Sequence, residues 1–251
     1  MTTDELTLSI LLPVRNEEEN LAIMLRILRS AIDVPHEVVV VTDTPDDRSI
    51  PVVLQIAARY PEVRHVANTL GRGVANAIRT GIDSAKGKYI LIFAADEVGP
   101  VIVVEKMLKL ADAGYDVVGL TRYSMGGRRL GGSLIQHILS RAANKIFGWL
   151  TPGFPLTDAT SGVKLVRRSV FEKIVFEAEP VGWTVAFEMS IKFYLLGLRM
   201  TELPSISIDR LYGGASSFRV GSWTWEYFRW FARGVREIRA ENARRRRTMR
   251  S

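Results

Sequence analysis

The acids and arginines of this chain mark where it could do chemistry. Asp158-Ala-Thr-Ser-Gly-Val-Lys164 sets an acid before a turn of small residues, with Thr160 and Ser161 beside it. Glu188 stands alone in an apolar run, and an acid buried there must be paired or functional. Downstream, Asp209-Arg210 leads a Gly/Ser loop that carries Gly213, Ser216 and Ser217. At the front stand Pro13-Val-Arg15-Asn-Glu17, the acidic turn Asp43 to Asp47, and Gly71-Arg72-Gly73. Two glycines around a cation ahead of a helix allow close backbone approach and offer a positive end to an anion. Ala94-Ala95-Asp96-Glu97 puts two carboxylates together, and hard divalent ions take such oxygens. On an extended chain Glu97 points away from Asp96, so a turn is needed to bring it round. Arg122, Arg128, Arg129 and Arg210 have the planar fork that suits phosphate. Each feature also has a plainer reading: an ordinary acidic turn, a simple glycine loop, a salt bridge from Glu188 to Arg210, a solvated arginine.

The elements that must position these residues alternate in type. Leu6 to Val14, Glu37 to Val41, Val63 to Ala67, Tyr89 to Ala94 and Asp116 to Thr121 read as strands. Between them, helical spacing runs from an N-cap at Asn16 through Ile32, then over Ser49 to Arg59, Val74 to Ala85 and Val101 to Ala113. This alternation predicts an α/β fold with a mostly parallel sheet covered on both faces. Ligands bind such sheets beyond the carboxyl ends of the strands. The second half is different. Gly126 to Gly132 reads as a flexible basic loop, Leu134 to Leu150 as a long amphipathic helix, and residues 151–155 as a Pro/Gly loop. Phe187 to Leu196 and Trp223 to Ile238 read as helices.

The 251 residues fit one domain, taken as 1–235, followed by a basic, flexible tail over 236–251. That tail holds seven arginines against Glu237 and Glu241, most of the net charge of +7. It suits a solvated end or an anionic membrane surface. No basic motif interleaved with aromatics accompanies it, so nucleic acid is not an expected partner. The chain has no cysteine, hence no disulfide and no thiolate metal site, which fits a reducing cytosol. The acidic start does not read as a signal peptide, and no apolar run approaches the roughly 18–20 residues of a spanning helix. The apolar side of Leu134–Leu150, and Trp223, Tyr227, Trp230 and Phe231 with interspersed arginines, suit either a lipid–water interface or burial in the core or a homo-oligomer.

Taken in order, Pro13–Glu17, Gly71–Gly73, Asp158–Lys164, Glu188 and the Arg210–Phe218 loop resemble the family 2 glycosyltransferases, from about Leu8 to Phe231. Among these the chain is most similar to the dolichyl-phosphate mannose synthase branch. The resemblance implies a GT-A-like fold and inverting transfer of a hexose from a GDP- or UDP-sugar to a polyprenyl phosphate at the cytoplasmic membrane face. It implies that Pro13, Arg15, Glu17, Asp43, Gly71, Arg72 and Ala95 bind the nucleotide. Asp96, with Glu97, would hold Mg²⁺ or Mn²⁺. Arg122, Arg128, Arg129, Arg210, Ser216 and Ser217 would bind phosphate or acceptor, while Asp158, Asp96 and Glu188 would act in catalysis. The acceptor phosphate is already ionised at neutral pH, so Asp158 is expected to position acceptor or metal more than to act as a strong base. The chain departs from the family at Ala94, where the first acid of an Asp-x-Asp pair is usual. That departure leaves open a weakened metal site and a non-catalytic nucleotide-sugar-binding protein. A soluble or polysaccharide acceptor is the other alternative. A nucleotidyltransferase of similar fold would carry a Gly-rich loop with a Lys after the first strand, and Pro13-Val-Arg-Asn does not match.

Overall fold

Residues 6–131, 134–180, 182–208 and 222–248 are described by a computed structural model. The strands are β1 (Leu8–Val14), β2 (His36–Thr42), β3 (Val63–Ala67), β4 (Tyr89–Ile92), β5 (Val117–Thr121), β6 (Arg128–Leu130), β7 (Lys164–Arg167), β8 (Met200–Pro204) and β9 (Ile206–Ile208). The helices are α1 (Glu18–Ala31), α2 (Ser49–Ala57), α3 (Val74–Ser84), α4 (Val104–Asp112), α5 (Leu134–Leu150), α6 (Thr184–Leu195) and α7 (Ser222–Thr248). Seven strands form one sheet in the order β3-β2-β1-β4-β7-β5-β8, and β6 pairs with β9 in a small second sheet.

Alternation along the strands builds two core layers. Val38 and Val40 of β2 join Ile10 and Leu12 of β1 on one face, with Leu21, Leu25 and Leu28 of α1 and Met107 of α4. Val39, Val41 and Leu11 turn to the other face, where they join Ile78 of α3, Ile191 of α6 and Trp230 of α7. Both faces are covered, so the central strands are largely apolar, as a parallel sheet requires. Each Leu, Ile or Val fully buried in these layers contributes about 1.5–3 kcal/mol.

Only β7 runs against the sheet, antiparallel to both β4 and β5. Sequence alternation did not reveal it, because β7 is four residues long and follows a turn. It therefore begins at the edge where β4 and β5 end, and brings the Asp158–Lys164 stretch there. Pro100 opens a 3₁₀ turn over Gly99–Val103, so the fourth helix starts at Val104 and not at Val101. Residues 128–130, expected in a flexible loop, are strand β6, paired parallel to β9. The boundary expected at residue 236 falls inside α7, whose last turns carry Arg245, Arg246 and Arg247. Glu241 pairs with Arg245 one turn on, at 2.9 Å, and supports that helix.

Candidate functional site

In a sheet of this order the carboxyl ends of β2, β1, β4 and β5 face one edge, joined by the amino end of β7. Asp43, Arg15, Asp96, Arg122 and the Asp158 turn therefore converge on that edge, although they come from five separate stretches of sequence.

The β2 end is organised by two acids with different tasks. Asp43 accepts from Asn68 Nδ2 at 2.7 Å and from the backbone N–H of Gly73 at 2.9 Å. It thereby fixes the loop 68–73 ahead of α3. Gly73 has φ of +123°, and a Cβ there would lie 1.6 Å from the carbonyl oxygen of Pro180. No other residue fits. Arg72, between the two glycines, is exposed. Asp47 is buried and accepts from the N–H of Asn16 at 3.1 Å and of Ser49 at 2.8 Å. This contact holds Asn16 in the left-handed region, with φ of 52°, so the N-cap of α1 is Glu17 and not Asn16. Glu17 in turn accepts from Asn20 at 2.7 Å. Pro13 is half-buried and Arg15 exposed beside this turn.

The β4 end carries Ala94, Ala95, Asp96 and Glu97. Ala95 is buried, and the two acids are half-buried. The Glu97 N–H donates to the carbonyl of Ala94 at 3.2 Å, a turn that ends the extended chain. It leaves Glu97 close enough to Arg122 to favour that cation's charged form. Among the described residues no group of three or more His, Cys, Asp or Glu is set to hold a metal ion. One or two carboxylates completed by substrate phosphates are nonetheless the usual protein share of a Mg²⁺ site. Asp96 and Glu97 fit that kind of site and not a preformed cage.

A buried ion pair joins the residue after β5 to the turn before β7. Arg122 Nε donates to Asp158 Oδ2 at 2.7 Å and Nη2 to Oδ1 at 2.9 Å, and the Arg122 N–H reaches Oδ2 at 3.2 Å. Asp158 is fully buried and Arg122 only 18% exposed. Burial works against the Arg122 charge, but the Asp158 carboxylate outweighs it and holds the guanidinium well above its ordinary pKa. Thr160 donates to Asp158 at 3.2 Å and accepts from Asn144 of α5 at 2.9 Å.

Two residues outside the sequence-based candidates support this pair. Glu202 on β8 accepts from the N–H of Thr157 at 2.8 Å and of Asp158 at 3.3 Å, and so holds the turn in place. Its signal was an acid among the inward positions of a short strand. Lys164 is fully buried at the start of β7 and donates to the carbonyl of Ser161. Burial lowers its pKa to about 7, with Asp158 and Glu202 opposing that and Arg122 adding to it.

Glu188 is engaged by backbone and by a lysine of its own helix. On α6 it accepts from the N–H of Glu177 at 2.6 Å and of Ala178 at 2.9 Å, and pairs with Lys192 at 2.7 Å. It fastens the 177–178 segment. Its expected pair Arg210, with Ser216 and Ser217, lies outside the described residues. Arg128 is exposed and Arg129 half-buried on β6.

The aromatic side expected on α7 is divided. Trp230 is buried, and Tyr227 and Phe231 pack against the core, with Phe231 edge-on to Phe147 at 5.4 Å. The side chain of Trp223 lies outside the described residues. Trp225 and Phe228 are exposed instead and stack at 5.9 Å. On α5, Leu134, Ile138, Leu139, Ile146 and Trp149 are exposed, whereas Phe147 is buried. Among the described residues no helix is long and apolar enough to cross a membrane.

The profile of Glycosyl transferase family 2 matches residues 9–175, which span the strand ends, the Asp158 turn and β7. The chain belongs to glycosyl transferase family 2. Its fold is the GT-A-like α/β fold, a mostly parallel sheet flanked by helices. This family 2 chain is 27% identical over 186 residues to a dolichol-phosphate mannosyltransferase of Pyrococcus furiosus, covering 73% of the chain and 52% of the relative. It is 34% identical over 145 residues to an undecaprenyl-phosphate 4-deoxy-4-formamido-L-arabinose transferase of Edwardsiella ictaluri, covering 55% and 44%. The chain thus spans about half the length of the curated relatives it matches. Among solved structures, glucosyl-3-phosphoglycerate synthase from Mycobacterium tuberculosis, in complex with Mn²⁺, UDP and phosphoglyceric acid, aligns with a TM-score of 0.69. The identity is 16%, and the alignment covers 91% of this chain and 78% of that one. A mannosyltransferase from Pyrobaculum calidifontis, in complex with GDP-Man and Mn²⁺, aligns with a TM-score of 0.62 at 20% identity, covering 91% and 64%.

Proposed function

We propose that this family 2 glycosyltransferase moves a hexose from a GDP- or UDP-linked sugar to a polyprenyl phosphate, with inversion at the anomeric carbon. The observation that carries the reading is the convergence of the Asp43-held loop, Asp96 and the Arg122–Asp158 pair on one sheet edge. The relatives that act on dolichol phosphate and undecaprenyl phosphate supply the acceptor class. A phosphate oxygen of the acceptor attacks the anomeric carbon, and the bond to the diphosphate breaks. The nucleoside diphosphate leaves with the electron pair, and no proton need be removed from an acceptor already ionised.

In this reading Asp43 and the Gly71–Gly73 loop receive the nucleotide, together with Pro13, Arg15 and Glu17. Asp96, with Glu97, holds Mg²⁺ or Mn²⁺, which supplies charge neutralisation at the leaving diphosphate. Both carboxylate oxygens of Asp158 are engaged by Arg122, so Asp158 serves as a positioning acid. Arg128 and Arg129 of β6 meet the acceptor phosphate. The exposed apolar face of α5, with Trp225 and Phe228 of α7, rests at a lipid–water interface, and the arginines at the end of α7 add attraction to anionic lipid. This would be a peripheral attachment at the cytoplasmic face.

A soluble phosphate-bearing acceptor is the second reading, favoured by the likeness to a synthase whose complex contains phosphoglyceric acid. Incubation with membranes and radiolabelled GDP- and UDP-sugars separates the two. Label that enters organic solvent supports the lipid acceptor. Label in soluble products supports the second reading, and nucleotide binding without transfer would mean a binding protein.

A further inference from the structure

We infer that residues 175–180 form a strap through which α7 sets the geometry of the donor loop at Gly71–Gly73. The inference rests on the reading of that loop as the nucleotide site. One end of the strap is tied to two helices at once. Glu177 accepts from Arg233 of α7 at 2.6 and 3.2 Å, and from Lys192 of α6 at 2.7 Å. Its own N–H and that of Ala178 are taken by Glu188 of α6. Glu226 of α7 accepts the N–H of Glu179 at 3.2 Å and the Trp230 indole N–H at 3.0 Å. Three successive backbone N–H groups are thus held by buried carboxylates from two helices.

The other end of the strap presses on the donor loop. The carbonyl of Pro180 occupies the place that a Cβ of residue 73 would need. Gly73 is also the residue whose N–H is fixed by Asp43. Upstream, Phe176 lies under the guanidinium of Arg79 on α3, at 5.5 Å. The strap therefore meets the N-cap residue of α3 and, at Arg79, a point one to two turns along it.

The Glu177 carboxyl stays ionised at neutral pH, so its ties to both helices persist there. Hydrogen bonds from Arg233 and Lys192 hold the Glu177 carboxyl at about 2. Arg233 is also paired to Glu237 at 2.8 Å and lies over the Trp230 ring at 4.9 Å, so its fork is fixed by α7 itself. Glu177, Arg233 and Glu226 are positioning residues in this scheme, acting on the donor through Pro180 and Gly73.

The test uses the full chain with Glu177→Ala, Arg233→Ala and the double variant, and Glu105→Ala as a control at an exposed pair. Glu177 is 45% exposed, so its replacement leaves the core intact. Hydrogen exchange is read over residues 68–80, and calorimetry measures GDP and UDP binding with Mn²⁺. Exchange over 68–80 should quicken in the three strap variants and stay unchanged in Glu105→Ala. Nucleotide affinity and the donor KM should worsen by about 3- to 10-fold, the range that packed networks transmit, with kcat at saturating donor retained. The double variant should be no worse than the weaker single one, because both remove the same tie. Unchanged exchange over 68–80 overturns the strap. Faster exchange with unchanged nucleotide affinity overturns its role at the donor site. A wild-type chain that binds neither nucleotide overturns the donor-site reading, while the exchange still decides whether the strap exists.

Discussion

Arg122 grips both carboxylate oxygens of Asp158, at 2.7 and 2.9 Å, in a pocket that leaves the acid fully buried. A carboxylate so engaged orients its surroundings. Asp158→Asn should therefore lower turnover by about 100-fold, the cost of a misplaced acceptor, with nucleotide affinity little changed. Steady-state kinetics beside nucleotide calorimetry read the two effects. Equal losses in both would move Asp158 to the donor side.

Removing one partner of this pair strands a buried charge. Arg122→Ala should destabilise the fold by roughly 3–5 kcal/mol, and Arg122→Lys by less, since a lysine keeps the charge but loses the two-point contact. Urea denaturation of the three proteins gives the values. A wild-type midpoint in Arg122→Ala would mean that water replaces the guanidinium.

Asp96 is the proposed metal-binding acid at the β4 end, and Ala94 stands two residues before it. Binding of GDP or UDP should weaken when EDTA replaces Mn²⁺, and Asp96→Ala should abolish that dependence. Ala94→Asp should tighten metal binding. Calorimetry with and without the metal checks all three, and affinity indifferent to Mn²⁺ in the wild type would remove the metal assignment.

Lys164 gives the fold a pH signature. Its folded pKa of about 7 lies below the ordinary lysine value of 10.5. Below pH 7 both folded and unfolded chains carry the proton, and the burial penalty stands in full. From about pH 7 to about 10.5 the unfolded chain binds a proton that the folded chain has released, so the Lys164 contribution rises with pH, by at most about 1.4 kcal/mol per pH unit. Measured at pH 6, 7.5 and 9, the stability of the wild type relative to Lys164→Met should rise only slightly over the first interval and more steeply over the second. A constant difference would show that the Asp158 and Glu202 carboxylates keep the ammonium charged throughout.

The two kinds of aromatic residue on α7 should separate cleanly. Trp230→Ala removes a buried ring and should cost about 3–5 kcal/mol. Trp225→Ala with Phe228→Ala should leave stability nearly unchanged and reduce sedimentation with anionic vesicles. Thermal melts and vesicle pelleting at low and high salt check the pair. Unchanged pelleting in the double variant would leave α5 or the arginines as the attachment.

The strand–helix alternation of the first half was legible because parallel strands buried on both faces must be largely apolar, and Val38–Val41 could be little else. The motifs from Pro13 to Asp96 were equally legible, since each lies at or follows the end of a strand, whereas Asp158 precedes one. Sequence could not assign Glu188, because an isolated acid in an apolar run reads the same whether it meets a substrate or two backbone N–H groups. It could not sort the aromatics of α7, which occur on both sides of the helix. Nor did it yield β7, four residues whose antiparallel course depends on two strands remote in sequence. The residue types at the strand ends were determined by the sequence alone. Which of them face one another was decided by the tertiary structure, because pairings such as Arg122–Asp158 and Gly73–Pro180 join segments that meet only once the sheet has formed.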